Sequence, residues 1–451
     1  MSTRRRLGTI LAALAVTIAA PAGADAGEAP PRLVLAHYMA CCPRSGLEAT
    51  VADLSAEIAA ARAAGIDGFS INFGAYAAEP HYPRIIARLF EAAAAFPDFH
   101  LVLSFDQMDV ADSIPVAERY ADHPSSLTQH GALVVSGFGL TPRWAETFSA
   151  GMRERGIPVR LVPNLLPARG GLWARISGAT ASGLRHTLDA TPALAGLFTF
   201  GAGRPYDELE TELRDAAALL ARRSRIHMAG ISPGYRGLGG NARVFENDGF
   251  EGMRRLWRAA IESGTPWVQL VTWNDWNEAT YLQPFASPFA TVWRDHPAWQ
   301  RLPDHGGFLA ASRWYIDWFK NGRPPPIGRD RLFYFYRPHL EDAEGVVDFA
   351  PETRGRPRFA DTLVDRVHVA TFLAAPADVT VTVGDRSQTT RVPAGAGAVS
   401  VPMAIGDVAV ELRRPGAAPL RAVLPVPIGR TALPGNFDTL SGEVTFGESP
   451  R

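Results

Sequence analysis

Val268-Gln269-Leu270-Val271-Thr272-Trp273-Asn274-Asp275-Trp276-Asn277-Glu278-Ala279-Thr280-Tyr281 reads as a buried strand that runs straight into a polar, aromatic turn. Val268, Leu270, Val271 and Thr272 are β-formers in a continuous apolar run. At the end of that run two carboxylates, Asp275 and Glu278, lie three residues apart among Trp273, Trp276 and Tyr281. Carboxylates at the C-terminal end of an apolar strand are what the active sites of parallel α/β barrels require.

Outward from this stretch, strand-like and helix-like segments alternate. Strands are predicted over residues 33–39, 67–73, 100–105, 132–136, 159–164, 197–200, 226–231 and 268–273. Helices are predicted over 48–64, 81–96, 115–121, 142–155, 206–223, 250–263 and 308–319. Eight strands alternating with helices predict an α/β fold, a (β/α)8 TIM barrel over residues 27–327; such barrels span about 250 residues plus insertions. A doubly wound open sheet is the alternative, and it often carries a Gly-rich turn after its first strand. Here that strand ends in His37-Tyr38-Met39-Ala40-Cys41-Cys42, with no such turn. Beyond residue 328 short alternating runs (332–336, 366–373, 379–383, 398–402, 408–412) are separated by Pro, Gly and Asp. They predict a small C-terminal antiparallel β-sandwich domain over 328–440, followed by a disordered tail, 441–451.

A formal net charge of -1 supplies no global field to select nucleic acid or an anionic membrane. Arg4, Arg5 and Arg6 followed by an apolar run and the small residues Ala24-Asp25-Ala26 read as a signal peptide, 1–26. The mature chain is therefore expected to be secreted or periplasmic. No later segment is apolar enough for an integral membrane anchor. The two cysteines, Cys41 and Cys42, are adjacent, which excludes a disulfide framework. The preferred reading is two small buried thiols; the sharper one is a vicinal disulfide forming a rigid platform beside the site.

Polar residues at predicted strand ends make the candidate site. His37 and Tyr38 end the first strand, Asn72 the second, Asp106 follows the third, Asn164 ends the fifth, and Ser232 and Tyr235 follow the seventh. Trp273, Asn274, Trp276 and Tyr281 surround the acid pair. Each has a plainer reading: His37 as a hydrogen-bonded core histidine, Asn164 as a partner for backbone groups, Asp67 as a turn cap at the start of its strand. The histidines show no HxH or HExxH spacing, and Ser136-Gly137-Phe138-Gly139 is not a nucleophile elbow. No metal and no cofactor is expected, and elimination leaves carboxylate acid/base chemistry. Acids beside indole rings suit sugars, whose faces stack on the rings.

Several pieces, in order, resemble glycoside hydrolase family 71, the α-1,3-glucanases or mutanases. They are Ala36-His37-Tyr38-Met39, Ala64-Gly65-Ile66-Asp67-Gly68-Phe69-Ser70-Ile71-Asn72, Ser104-Phe105-Asp106, His123-Pro124-Ser125, Ile231-Ser232-Pro233, Thr272-Trp273-Asn274-Asp275 with Glu278, and Tyr336-Arg337-Pro338-His339. The resemblance implies a barrel followed by a β-sandwich. It also implies hydrolysis of α-1,3-glucan with inversion, with Asp275 and Glu278 as the acid/base pair and Asp67 and Asp106 as further acids of the family's motifs. Fungal members read Trp-Asn-Asp-Tyr-Gly-Glu-Ser where this chain has Trp-Asn-Asp-Trp-Asn-Glu-Ala, and the loop after Pro233 lacks the family's aromatic pair. The motif is also similar to the Trp-Asn-Glu-Trp-x-Glu-Gly element of family 99 endo-α-mannosidases.

The expectation is an exported glycoside hydrolase whose partner is an α-glucan polysaccharide, with Glu278 as acid and Asp275 as base. Trp276 is expected to desolvate Glu278, and Asn274 to keep Asp275 ionised. Substrate contacts are expected from His37, Tyr38, Asp67, Asn72, Asp106, Asn164, Tyr235, Trp273, Asn274, Trp276 and Tyr281. The alternatives are a family 99-like mannosidase and a non-catalytic envelope protein that binds glycan. Oligomeric state is not legible.

Overall fold

Strands whose every residue is buried need cover on both faces, and helices between parallel strands supply it. The computed structural model describes residues 31–165, 181–238, 241–296, 299–344, 356–431 and 437–446. The expected signal peptide lies outside them. In chain order the elements are β1 (Leu33–Met39), α1 (Val51–Ala63), β2 (Gly68–Phe73), α2 (His81–Ala93), β3 (His100–Asp106), α3 (Val110–Tyr120), β4 (Thr128–Gln129), β5 (Ala132–Phe138), α4 (Pro142–Glu154) and β6 (Val159–Leu161). Then come α5 (Ala181–Ala190), β7 (Gly196–Thr199), α6 (Tyr206–Ala221), β8 (Ile226–Ile231), β9 (Tyr235–Gly237), β10 (Arg243–Phe245), α7 (Glu251–Glu262), β11 (Trp267–Leu270), β12 (Phe289–Ala290), β13 (Leu302–Pro303) and α8 (Gly306–Asn321).

Eight strands pair in parallel in the order β6-β5-β3-β2-β1-β11-β8-β7, with β4 antiparallel to β5. The sheet curls until its ends meet: Ala195 N–H donates to Leu161 O at 2.9 Å, and Phe198 N–H to Pro163 O at 2.9 Å. Alternate residues split into two apolar clusters, as the two-residue period of a strand demands. Leu35, Val102, Val134, Phe198, Met228 and Trp267 pack inside the curl. Val34, Phe69, Leu103, Val135 and Val268 face the helices. All eight strands point the same way, so Asn72, Asp106 and the segment after β11 gather at one rim.

The C-terminal strands are β14 (Arg331–Tyr336), β15 (His339–Glu344), β16 (Arg366–Leu373), β17 (Ala377–Val383), β18 (Arg386–Val392), β19 (Gly395–Pro402), β20 (Val408–Arg413), β21 (Leu420–Val423), β22 (Gly429–Thr431) and β23 (Leu440–Glu443). They form two four-stranded sheets, β19-β16-β14-β23 and β18-β17-β20-β21, and the pair β15-β22. Leu332, Tyr334 and Val369 from one sheet share a core with Val379, Val381, Val408 and Val410 from the other. Strand β23 runs from Leu440 into the segment expected to be a disordered tail. It pairs with β14, and Ser441 N–H donates to Asp304 O at 2.8 Å, so these backbone groups find partners that sequence pattern does not reveal.

Arg32–Arg451 is one compact unit. A buried ion cluster ties the strands after residue 330 to those before it. Arg337, fully buried, donates to Glu246 Oε1 at 2.5 Å, to Asp365 Oδ1 at 2.9 Å and to Val364 O at 3.1 Å. Arg337→Met leaves two carboxylates facing a space without a cation, and breaking such a buried pair costs about 3 kcal/mol or more. Urea unfolding should show that loss; an unchanged midpoint would mean the cluster does not hold the two parts together.

Candidate active site

The segment after β11 folds back on itself. Thr272 N–H donates to Thr280 O at 2.7 Å and Leu282 N–H to Thr272 O at 3.0 Å, which closes a short loop with Asp275 and Glu278 at its crest. Thr272 Oγ1 accepts from Asp275 N–H at 2.8 Å. Asn274 clamps the loop to the end of β1: its Oδ1 accepts Met39 N–H at 2.7 Å, and its amide donates to Met39 O at 3.0 Å and Cys42 O at 2.9 Å. Trp276 Nε1 donates to the same Cys42 carbonyl at 2.9 Å. Leaving such buried groups without partners costs roughly 1–3 kcal/mol each, so the loop is held in one geometry.

The two acids are neighbours. Glu278 N–H donates to Asp275 Oδ1 at 3.1 Å, and Tyr235 O–H donates to Glu278 Oε1 at 2.8 Å. Burial pushes Asp275 up to about 6, against the backbone N–H groups of Glu278 and Asn277, which favour its anion. Burial and then the charge of Asp275 push Glu278 up to about 8, opposed by Tyr235 and Arg243, with Asp106 adding to the rise. Asp106, at the end of β3, is raised by burial, opposed by Gln107 and Asn72.

Asn72, Asp106, Tyr235, Asp275 and Glu278 thus come together. Asn164 sits at the same rim, but its amide donates to Phe198 O at 3.1 Å, which is its plainer reading. Other candidates lie elsewhere. Asp67 precedes β2, at the opposite end of the sheet, accepting Val34 N–H at 2.8 Å and pairing with Lys320 at 2.5 Å. His37 is enclosed inside the curl, its Nδ1 2.8 Å from Gln269 Nε2 and its ring stacked on Phe198. Burial lowers it to about 3, so the ring is neutral. Tyr38 points outward between sheet and helices, where it meets Phe69 and Glu57.

The aromatic residues do not wall a groove. Trp273 is fully buried, its Nε1 donating to Glu57 Oε2 at 3.1 Å. Trp276 and Tyr281 are equally buried and pack with Phe285, Trp299 and Leu302 as a pad beneath the loop. Tyr281 donates to Pro303 O at 2.6 Å and stacks on His305. Asn274 likewise spends its hydrogen bonds on backbone. The pair therefore owes its ionisation to burial, to mutual charge and to Tyr235, with Trp276 and Asn274 fixing the loop instead.

Sequence reasoning passed over Glu57, Asn241 and Arg243. Glu57 falls on the apolar stripe of α1 with Leu54, Ile58 and Ala61, an incongruity that could have flagged it. Burial raises it to about 7, opposed by Arg44 N–H, Trp273 and Tyr38. Asn241 and Arg243 belong to the β9–β10 hairpin, which the strand pattern left as a Gly-rich loop. Cys41 and Cys42 are joined by a vicinal disulfide, not left as the two free thiols of the preferred reading.

A family model described as glycosyl hydrolase family 71 matches residues 30–425. The chain belongs to glycosyl hydrolase family 71. It is 25% identical over 427 residues to a mutanase of Penicillium rubens, covering 92% of this chain and 90% of that one. It is 26% identical over 395 residues to a glucan endo-1,3-alpha-glucosidase of Schizosaccharomyces pombe, covering 82% and 85%. A GH99 endo-alpha-mannosidase from Bacteroides thetaiotaomicron shares the fold, with a TM-score of 0.50 and 14% identity over 65% of this chain and 99% of that one. Among the described residues no helix is long and apolar enough to cross a membrane.

Thiol titration of the denatured, unreduced protein should find no free thiol, and two after reduction. Two thiols before reduction would show that the loop holding Asn274 and Trp276 is not cross-linked.

Proposed function

We propose that this chain is an exported, inverting hydrolase of α-1,3-glucan, built as a closed (β/α)8 barrel with a β-sandwich behind it. The family membership and the two α-glucan-active relatives support the substrate. The carrying observation is the pair Asp275 and Glu278, side by side at the C-terminal rim, the first receiving backbone N–H groups and the second the Tyr235 hydroxyl. Environments that push two acids apart assign acid and base between them.

Glu278, facing the negative charges of Asp275 and Asp106, is the one that keeps its proton at neutral pH. It donates that proton to the glycosidic oxygen as the bond to the anomeric carbon breaks. Asp275, whose anion receives two backbone N–H groups, takes a proton from the water whose oxygen joins the anomeric carbon from the opposite face. Protons balance: one leaves Glu278 with the released hydroxyl, one arrives on Asp275. Inverting enzymes keep their acid and base carboxyl groups roughly 6.5–9.5 Å apart to seat that water. Asn72 and Asp106 are suited to sugar hydroxyls. The burial of Trp276 and Tyr281 weighs against the purely binding alternative, which would need those rings on the surface.

Incubation with α-1,3-glucan, α-1,4-glucan and α-mannan should release reducing ends from the first, with the inverted anomer seen first by NMR. Retention, or release from mannan alone, would move the chain to the rival reading. Asp275→Asn and Glu278→Gln should each lower turnover by roughly a hundredfold or more. The acid must be protonated and the base ionised. Activity should therefore fall as pH drops through about 6 and as it rises through about 8. A carboxyl raised in the folded state is stabilising only while protonated, so Glu278→Gln should also raise the unfolding midpoint above pH 8. A lowered midpoint there would contradict this electrostatic picture.

A further inference from the structure

The β9–β10 hairpin runs alongside the acid-bearing loop. Arg236 N–H donates to Glu278 O at 2.9 Å and Leu238 N–H to Asn277 O at 2.9 Å. Tyr235 is 4% exposed, yet its hydroxyl reaches Glu278 Oε1 at 2.8 Å. Three contacts immobilise the phenol. The Arg243 guanidinium stacks over the ring, 4.8 Å from its centre. The Asn241 side-chain amide donates to the hydroxyl oxygen. Gly237 closes the remaining space: a Cβ there would stand 3.0 Å from the ring and 2.3 Å from Asn241 O. Gly237 therefore serves close packing around this tyrosine.

These contacts fix the direction of a proton. The hydroxyl oxygen accepts from Asn241, so its hydrogen is left for Glu278. With Oε1 receiving that hydrogen, the proton carried by Glu278 belongs on Oε2.

We infer that Tyr235 is a positioning residue for Glu278: steadied by Asn241 and Arg243, it turns Oε2 towards the glycosidic oxygen and favours the carboxylate that remains after the proton has left. This rests on the reading of Glu278 as the acid. Charged groups around Glu278 act on it from every side: Asp275 on its own loop and Asp106 at the end of β3 hold the proton on, while Arg243 on β10 favours its release. Burial and the charge of Glu278 raise the Tyr235 phenol, which stays a donor throughout the working range. A hydrogen bond to a charged group lends the carboxylate a preference that the neutral acid does not receive in full.

The test is Tyr235→Phe in the full chain, with the thermal melt as a folding control. The Glu278 carboxyl is titrated without substrate by infrared difference, each protein being compared with its Glu278→Gln counterpart. Removing the hydroxyl should move that titration up by about one pH unit. On glucan the alkaline limb of kcat should move up with it, and kcat should fall about tenfold while KM changes less than about twofold. A native melt with an unmoved carboxyl titration would overturn the inference, as would a raised KM with an unmoved alkaline limb, which marks a substrate contact. If Tyr235→Phe does not fold, Asn241→Leu replaces it, since it keeps the phenol but frees its hydrogen to rotate; a smaller upward shift supports the inference and no shift overturns it. Absence of hydrolysis by the wild-type protein would count against the proposed function, and the infrared titration would still decide the role of Tyr235.

Discussion

Two carboxyl groups held side by side and away from water cannot both ionise at little cost. That constraint organises the site. In a low-dielectric setting each charge disfavours its neighbour, so one acid keeps its proton where an exposed carboxylate would have lost it. The asymmetry decides which: Asp275 collects backbone N–H groups, whereas Glu278 faces two other acids. A mobile loop would relieve the conflict by swinging one acid into solvent. The Thr272–Thr280 closure, the Asn274 clamp and the pad under Trp276 prevent it.

The support continues beyond the curled sheet. Tyr281, just past the acid loop, stacks on His305 and gives its carbonyl to the ring's Nδ1 at 2.9 Å. His305 Nε2 meets Asp438 Oδ1 at 3.1 Å, next to strand β23. Burial works against a charged ring there, but Asp438, the Tyr281 carbonyl and Asp304 together outweigh it and raise the His305 pKa. The neighbouring Asp304 carbonyl accepts from Ser441 N–H. The C-terminal strands thereby reach the pad beneath the acid loop. Disruption of Asp438 would be felt by the loop as well as by the fold.

Much of the architecture was legible because strands and helices write different periods. Strands β1, β8 and β16 match their expected limits, and the acid pair stood out because an apolar strand ended in it. The alternation also separated Asp67, at the start of its strand, from Asp106, at the end of the next; the shared motif had grouped them. The aromatic residues were misread for a physical reason. Composition places Trp273, Trp276 and Tyr281 near the acids, but in a tight loop only hydrogen-bond partners decide whether a ring faces the groove or the packing beneath. Those partners (Glu57, Cys42 O and Pro303 O) are remote in sequence or are backbone atoms, to which pattern reading is blind. The helix at Ala181–Ala190 and the β9–β10 hairpin were missed because short elements around Gly carry little periodicity.

The most direct measurement is a crystal structure of the Glu278→Gln protein with a bound α-1,3-linked glucan oligosaccharide. The expected result is a saccharide lying across the C-terminal rim between Asp106 and the 272–280 loop. Its glycosidic oxygen should be within hydrogen-bond reach of residue 278, and a water should lie beside Asp275 on the far face of the ring. A sugar bound on the C-terminal sheets or at the Asp67 end, with the rim empty, would contradict the assignment of this pair to the chemistry.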